Sequence, residues 1–140
     1  MRRERIRRAA RAVALGQGLY YVASGVWPLV SMRTFEAVTG PKRDRWLVRT
    51  VGLLATAFGA LLLRDAARSR PDPATGLAGA AAFGTASLWY WARGRINHAY
   101  LLDGLAEAAL VGAWLGLSLR VDLQRERSVG PGTAQIPPVI

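Results

Sequence analysis

The feature that most constrains this chain is the length of its charge-free runs. Ala12 to Met32 carries no charge over 21 residues and Ala74 to Ala92 none over 19. At about 1.5 Å per residue, either run as a helix crosses a hydrocarbon core of about 30 Å. Two more apolar blocks, Trp46 to Leu63 and Asn97 to Leu119, are interrupted only by Arg49 and by Asp103 and Glu107. Helices of a soluble bundle show a charged outer face, and the first and third blocks have none. The expected fold is therefore all-α, a four-transmembrane-helix bundle with spans at about 12–32, 46–63, 74–92 and 98–119. With 140 residues there is room for one domain. It is placed at 1–127, followed by a Gly- and Pro-broken tail, 128–140 (SVGPGTAQIPPVI), expected to be disordered.

The net charge of +10 sits in the ends and loops, where it lowers the mean hydropathy to +0.15. Cations flanking apolar blocks are the pattern of topology signals and headgroup contacts, so the lipid bilayer is the expected partner and nucleic acid is not. The absence of cysteine excludes disulfides, thiol catalysis and thiolate-bound metals. Met1 to Arg11 followed by an apolar run has the form of a signal peptide, but the run continues past Ala23 and Ser24 to Val30, which favours an uncleaved anchor. The location implied is multi-pass, in a bacterial inner (cell) membrane.

Local signals divide the blocks. Pro28 removes a backbone donor and should kink or end the first span. Ser31 to Thr39 reads as a short interfacial helix stopped by Gly40-Pro41. Asp44 is an N-cap candidate for the second span, and Asp72-Pro73 opens the third with proline at the first helical position. Gly94 and Asn97 bound a short turn, making spans three and four an antiparallel hairpin. Gly18 and Gly25 share one face of the first span, Gly52, Thr56 and Gly59 one face of the second, and Gly104, Ala108, Gly112 and Gly116 recur every fourth position on the last. Small faces of this kind permit close helix approach.

Threading follows from Lys and Arg. The N-terminal segment, second loop and C-terminal segment hold twelve, and the remaining two loops with Arg49 hold seven. Both termini are therefore expected to be cytoplasmic. The same threading sets Trp27, Trp46, Trp89, Trp91 and Tyr100 at one outer interface.

Chemistry is sought where charge enters apolar helix. Asp103 and Glu107 are four apart and share a face. With the outer boundary near Trp46 and Ala99, Arg49 lies ~5 Å in, Asp103 ~6 Å and Glu107 ~12 Å. An unpaired charge at such depth is costly, so Arg49, Asp103 and Glu107 are expected to form one polar cluster inside the bundle, with Glu36 and His98 near its rim and Arg93 and Arg95 within reach. The plainer alternatives are that Arg49 snorkels to the headgroups, that Asp103 is structural and that His98 is solvated. His98 and Glu107 are nine residues apart and do not share a face, so no metal site is expected. No phosphate loop, nucleophile motif or dinucleotide fingerprint is present, and no cofactor or catalytic residue is assigned.

The runs WPLVSMRTFEAVTGPKRDRWLVRTVGLL and YWARGRINHAYLLDGLAEAALVGAWL resemble a group of small bacterial four-helix integral membrane proteins known only as hypothetical proteins. The resemblance covers Tyr21 to Leu115, is most distinctive in FEAVTGPKRDRWLVRTVG, and implies class and location without an activity. In helix number and size the chain is also similar to DoxX-like membrane proteins. The function expected is a non-enzymatic accessory or assembly subunit packing against a second copy or another membrane protein. The rivals are a small-molecule site or proton-coupled carrier using the cluster, and a membrane-embedded enzyme acting on a lipid-like substrate. Whether the cluster lines a cavity or is sealed by packing separates them.

Overall fold

A computed structural model of the chain describes residues 1–128, with the side chains of residues 2 and 122–128 outside the description. It contains five helices and, among the described residues, no strand: α1 Arg2–Val30, α2 Met32–Thr39, α3 Arg45–Ala67, α4 Pro73–Ala92 and α5 Ala99–Ser128. The tail expected over 128–140 lies outside the described residues from 129 onward.

The first helix starts ten residues before the expected span, because the arginine-rich segment is helical and continuous with the apolar run. It passes through Pro28 and ends two residues later. Ser31 then closes one helix and opens the next: its N–H donates to the Trp27 carbonyl at 2.9 Å, and its hydroxyl accepts from the Thr34 N–H at 3.4 Å. Asp72 caps α4 as its position suggests, accepting from the N–H groups of Ala74 and Thr75. Asn97 likewise accepts from the Ala99 N–H at 3.0 Å. Asp44 occupies the N-cap position of α3 without a side-chain capping bond. Gly94 takes a left-handed φ of 65°, one residue beyond the C-cap of α4, where a side chain would be strained.

The four long helices alternate in direction. α1 packs along α3 in antiparallel register, with Gly18 against Gly59 and Gly25 against Gly52. α4 and α5 form the expected hairpin, with Gly76 against Trp114 and Gly84 against Glu107. α1 touches all four other helices and joins the two pairs, whereas α3 and α5 do not pack against one another. The seam between α1 and α3 is built by backbone approach. A Cβ at Gly25 would lie 2.5 Å from the Gly52 carbonyl oxygen, and one at Gly59 would lie 2.7 Å from that of Gly18. Only glycine permits this, as the small faces of these two segments suggest.

Four spans were expected; among the described residues two helical stretches, Arg45–Ala67 and Ala99–Val121, are long and apolar enough to cross a membrane, and only 22% of each window is buried within the chain. α1 and α4 are as free of charge over their central runs. Their hydropathy is lowered by Gln17, the tyrosines, the tryptophans and many glycines. Large apolar side chains cover the outside of the bundle, among them Leu19, Leu53, Leu54, Leu61, Leu102, Leu105, Leu115 and Leu119. The enclosed core is small. Its largest cluster, Ala10, Ala14, Ala66, Trp114 and Leu117, lies toward the arginine-rich end.

Candidate functional site: a buried carboxyl and tyrosine network

The centre of the bundle is polar, and α4 makes room for it. Its glycines seat the large side chains of the other helices: Trp114 lies over Gly76, Tyr21 over Gly79 and Glu107 over Gly84. α1 supplies Gln17, Tyr20 and Tyr21 from one face at i, i+3 and i+4. α5 supplies Asp103, Glu107 one turn on and Trp114 two turns further, all from its inner face.

These side chains form two connected hydrogen-bond sets. In the first, the Trp114 indole N–H donates to Gln17 Oε1 at 2.7 Å, and Gln17 Nε2 donates to the Gly76 carbonyl at 2.8 Å and to the Tyr21 hydroxyl at 3.1 Å. The Tyr21 hydroxyl in turn donates to Glu107 Oε2 at 2.7 Å. In the second set, the Tyr20 hydroxyl donates to Asp103 Oδ1, and the Ser87 hydroxyl donates to Asp103 Oδ2 at 2.6 Å. Gln17, Tyr21, Trp114 and Glu107 are fully enclosed, Glu107 at 1% exposure, whereas Asp103 and Tyr20 are half-buried. No buried side-chain nitrogen or oxygen among the described residues lacks a partner. A polar network in a low-dielectric interior adds rigidity only when it is satisfied in this way.

The expected cluster is thereby divided. Asp103 and Glu107 share a face and turn inward, but Arg49 is exposed and makes no ion pair among the described residues. Depth alone suggested the pairing, and helical phase overrides it. The inward stripe of α3 is Gly52, Ala55, Gly59, Leu62 and Ala66, it faces α1, and α1 stands between α3 and the acids. Glu36 is also elsewhere. It holds Arg45 through bonds of 2.7 and 3.0 Å and accepts from the Lys42 N–H at 3.2 Å, and the Arg45 guanidinium keeps its carboxyl below the usual glutamate range. His98 is exposed with its ring 6.3 Å from that of Trp91. Arg93 stacks over Trp89 at 4.2 Å, and Arg95 is exposed. The donors to the two acids are neutral hydroxyls, not cations.

Sequence reasoning missed Gln17, Tyr20, Tyr21, Ser87 and Trp114. The signal was present: Gln17, Tyr20 and Tyr21 are the most polar groups in a charge-free span and share one face. Trp114 follows Glu107 by seven residues, on the same face. The far stripe of α5 is the converse case. Gly104 packs under Leu88, but Gly112 and Gly116 face open space.

A shallow groove of about 370 Å³ runs between α1 and α5, lined by Gly16, Gln17, Tyr20, Ala106, Ala109 and Leu110. Tyr20 is the one member of the Asp103 set on it. Among the described residues no three of His, Cys, Asp and Glu are grouped to hold a metal ion. Chemically, the arrangement can hold helices in register and can keep a proton between a phenol and a carboxyl, with Glu107 enclosed by the described residues. No protein-family model, curated protein or solved structure matches the chain.

Proposed function

We propose that the chain is a four-span protein of a bacterial inner membrane, with α1, α3, α4 and α5 as spans and both termini cytoplasmic. Its role is that of a non-enzymatic accessory or assembly subunit. The apolar side chains on the outside support the membrane placement, since a soluble protein of this size rarely exposes so continuous an apolar surface. The directions of the helices support the threading: the ends bearing Trp27, Trp46, Trp89 and Tyr100 are at one side, and Arg3 to Arg11, Arg64, Arg68 and Arg70 are at the other.

The observation that carries the non-catalytic reading is the enclosure of Glu107. Its neighbours are Tyr21, Gly84 and the rest of the network, and at 1% exposure it is closed off by the described residues. The network then acts as a clasp between α1, α4 and α5, leaving the outer surface for partners. Complementation of a deletion strain tests this. Glu107→Gln keeps shape and hydrogen bonding but cannot exchange a proton, and should complement as the parent chain does. Failure at normal protein level would instead assign Glu107 a proton-transfer role.

A second reading, a proton-coupled or small-molecule site, is favoured by one observation: Tyr20 and Asp103 are half-buried and Tyr20 borders the groove. Asp103→Asn in the same assay separates the two, since the clasp tolerates an isosteric acceptor and a relay does not. Cysteines at Ser69 and Asn97, both exposed, test the threading in a chain that otherwise has none. In intact cells an impermeant thiol reagent should label Asn97→Cys and spare Ser69→Cys.

A further inference from the structure

The arginine-rich end of the bundle carries a recess that the polar network does not touch. We propose that this recess binds the phosphate of one anionic phospholipid, an inference that rests on the chain lying in a membrane. Glu4, Arg7, Arg8 and Arg11 of α1 and Ser69 of the turn between α3 and α4 line a cleft of about 200 Å³. That is several times the roughly 30 Å³ a water molecule occupies in the liquid, and enough for a phosphate group. Arg7 reaches across it, donating from Nη2 to the Ser69 carbonyl at 3.5 Å. Arg68 and Arg70, both exposed, flank Ser69 on the turn.

Among the described side chains, charge at this end is unbalanced. Glu4 meets Arg8 at 4.0 Å with both side chains largely exposed, an arrangement that neutralises little. Asp65 is taken by Arg64 at 3.1 Å, and Asp72 caps α4. Among the described side chains neither Arg7 nor Arg11 has a carboxylate partner. Two guanidinium groups four residues apart on one helix face repel each other, and a shared anion turns that repulsion into two charge-assisted contacts. The planar fork of arginine matches the oxygens of a phosphodiester.

The position favours a lipid as the source. The charge-free run begins at Ala12, one residue past Arg11, so the recess lies where hydrocarbon gives way to headgroups. Leu15, half-buried, and Leu19, exposed, follow Arg11 at four-residue steps on the same face of α1 and give an apolar edge suited to an acyl chain.

The test uses the full chain in nanodiscs of phosphatidylcholine mixed with phosphatidylglycerol, followed by native mass spectrometry of retained lipid. The expected result is one phosphatidylglycerol retained about tenfold more strongly than phosphatidylcholine, and loss of that preference in the Arg7→Gln, Arg11→Gln double variant. Arg33→Gln with Arg43→Gln, at the opposite end, should keep it. No preference in the parent chain, or equal loss in both double variants, overturns the site, the latter because bulk charge would then be the cause. Displacement by glycerol phosphate as effective as by a short-chain phosphatidylglycerol overturns the lipid as ligand and leaves a phosphate-ester site. Failure of the membrane placement is read separately, as release of the chain from membranes by alkaline carbonate. These arginines are exposed, so an unchanged circular dichroism spectrum verifies that the variants fold.

Discussion

α1 is held on its two sides by opposite means. Toward α3 it presents Gly18 and Gly25, and contact is backbone against backbone with Gly52 and Gly59 across the seam. Toward α4 and α5 it presents Gln17, Tyr20 and Tyr21, and contact is made through side-chain hydrogen bonds. Under the proposed membrane placement, where burying apolar side chains against one another gains little over lipid, these are the two devices available for holding helices together. They fail differently. The glycine seam tolerates no added size, whereas the polar side tolerates a change of charge at constant shape so long as each donor keeps an acceptor.

The largest expected effect is therefore on the seam. Gly25→Leu places carbon against the Gly52 carbonyl and the Thr56 backbone, which cannot rotate away as a side chain could. We expect a loss of about 3 kcal/mol, the upper end for overpacking, seen as a large drop in melting temperature in detergent. Gly59→Leu should match it from the other helix. A loss of only a few tenths would mean that α1 and α3 separate at no cost, and the seam would not be what joins them.

Next comes the polar side. Gln17→Leu removes the acceptor of Trp114 and the donor to both Gly76 and Tyr21 in one step. Measured hydrogen bonds between spans average about 0.6 kcal/mol and reach about 1.7, so the expected loss is roughly 2 kcal/mol for several bonds removed together. Glu107→Leu, which strips the acceptor from Tyr21, should cost about 1–2 kcal/mol, and Glu107→Gln less than about 1. Thermal unfolding of the three variants in one detergent gives the ranking. Equal losses for Glu107→Leu and Glu107→Gln would show that the carboxylate, and not the bond it accepts, is what the clasp requires.

Much of this contrast was legible from composition. The small faces of the first two apolar blocks marked the seam, and the i, i+4 spacing of Asp103 and Glu107 marked the inward face of α5. The helix boundaries followed from Ser31, Asp72 and Asn97, whose side chains satisfy orphan N–H groups locally, within a few residues. What could not be read was which helix lies beside which. The spacing sets Arg49 and the two acids at one expected depth, but depth is one coordinate, and the neighbour relation that places α1 between them is set by glycines on α1 and α3 meeting in register. The same gap hid the donors. Tyr20 and Tyr21 lie within the first charge-free run, yet nothing in the order of residues says that their hydroxyls, and not a guanidinium, satisfy the carboxyl oxygens.

Arg49 sharpens the point at a smaller magnitude. Lying off the inward stripe of α3, it is exposed, and under the proposed placement its stem follows the helix to the headgroups. Arg49→Leu should therefore change stability by less than about 1 kcal/mol, and its effect should add to that of Glu107→Leu without coupling. A double-mutant cycle measures this directly. An interaction energy of several kcal/mol would bring Arg49 back into contact with the acids.

The smallest effect is expected on the far stripe of α5, and it tests whether glycine spacing alone defines a seam. Gly112 and Gly116 repeat at four residues as a packed face would, but a Cβ at either position meets nothing within the chain. Gly112→Leu should thus leave the stability of the isolated chain within about 0.5 kcal/mol of the parent, as substitutions away from packed features do. Leucine is also the better helix former, which opposes any small loss. Val111→Leu, a half-buried neighbour, serves as the control for adding apolar volume at this level. The comparison with Gly25→Leu is then between two glycines on small-residue faces, one facing a carbonyl and one facing outward. If Gly112→Leu instead lowered the melting temperature as far as Gly25→Leu does, the outer face of α5 would be a seam as well, closed by a second chain, and cross-linking before and after the substitution would show that chain lost.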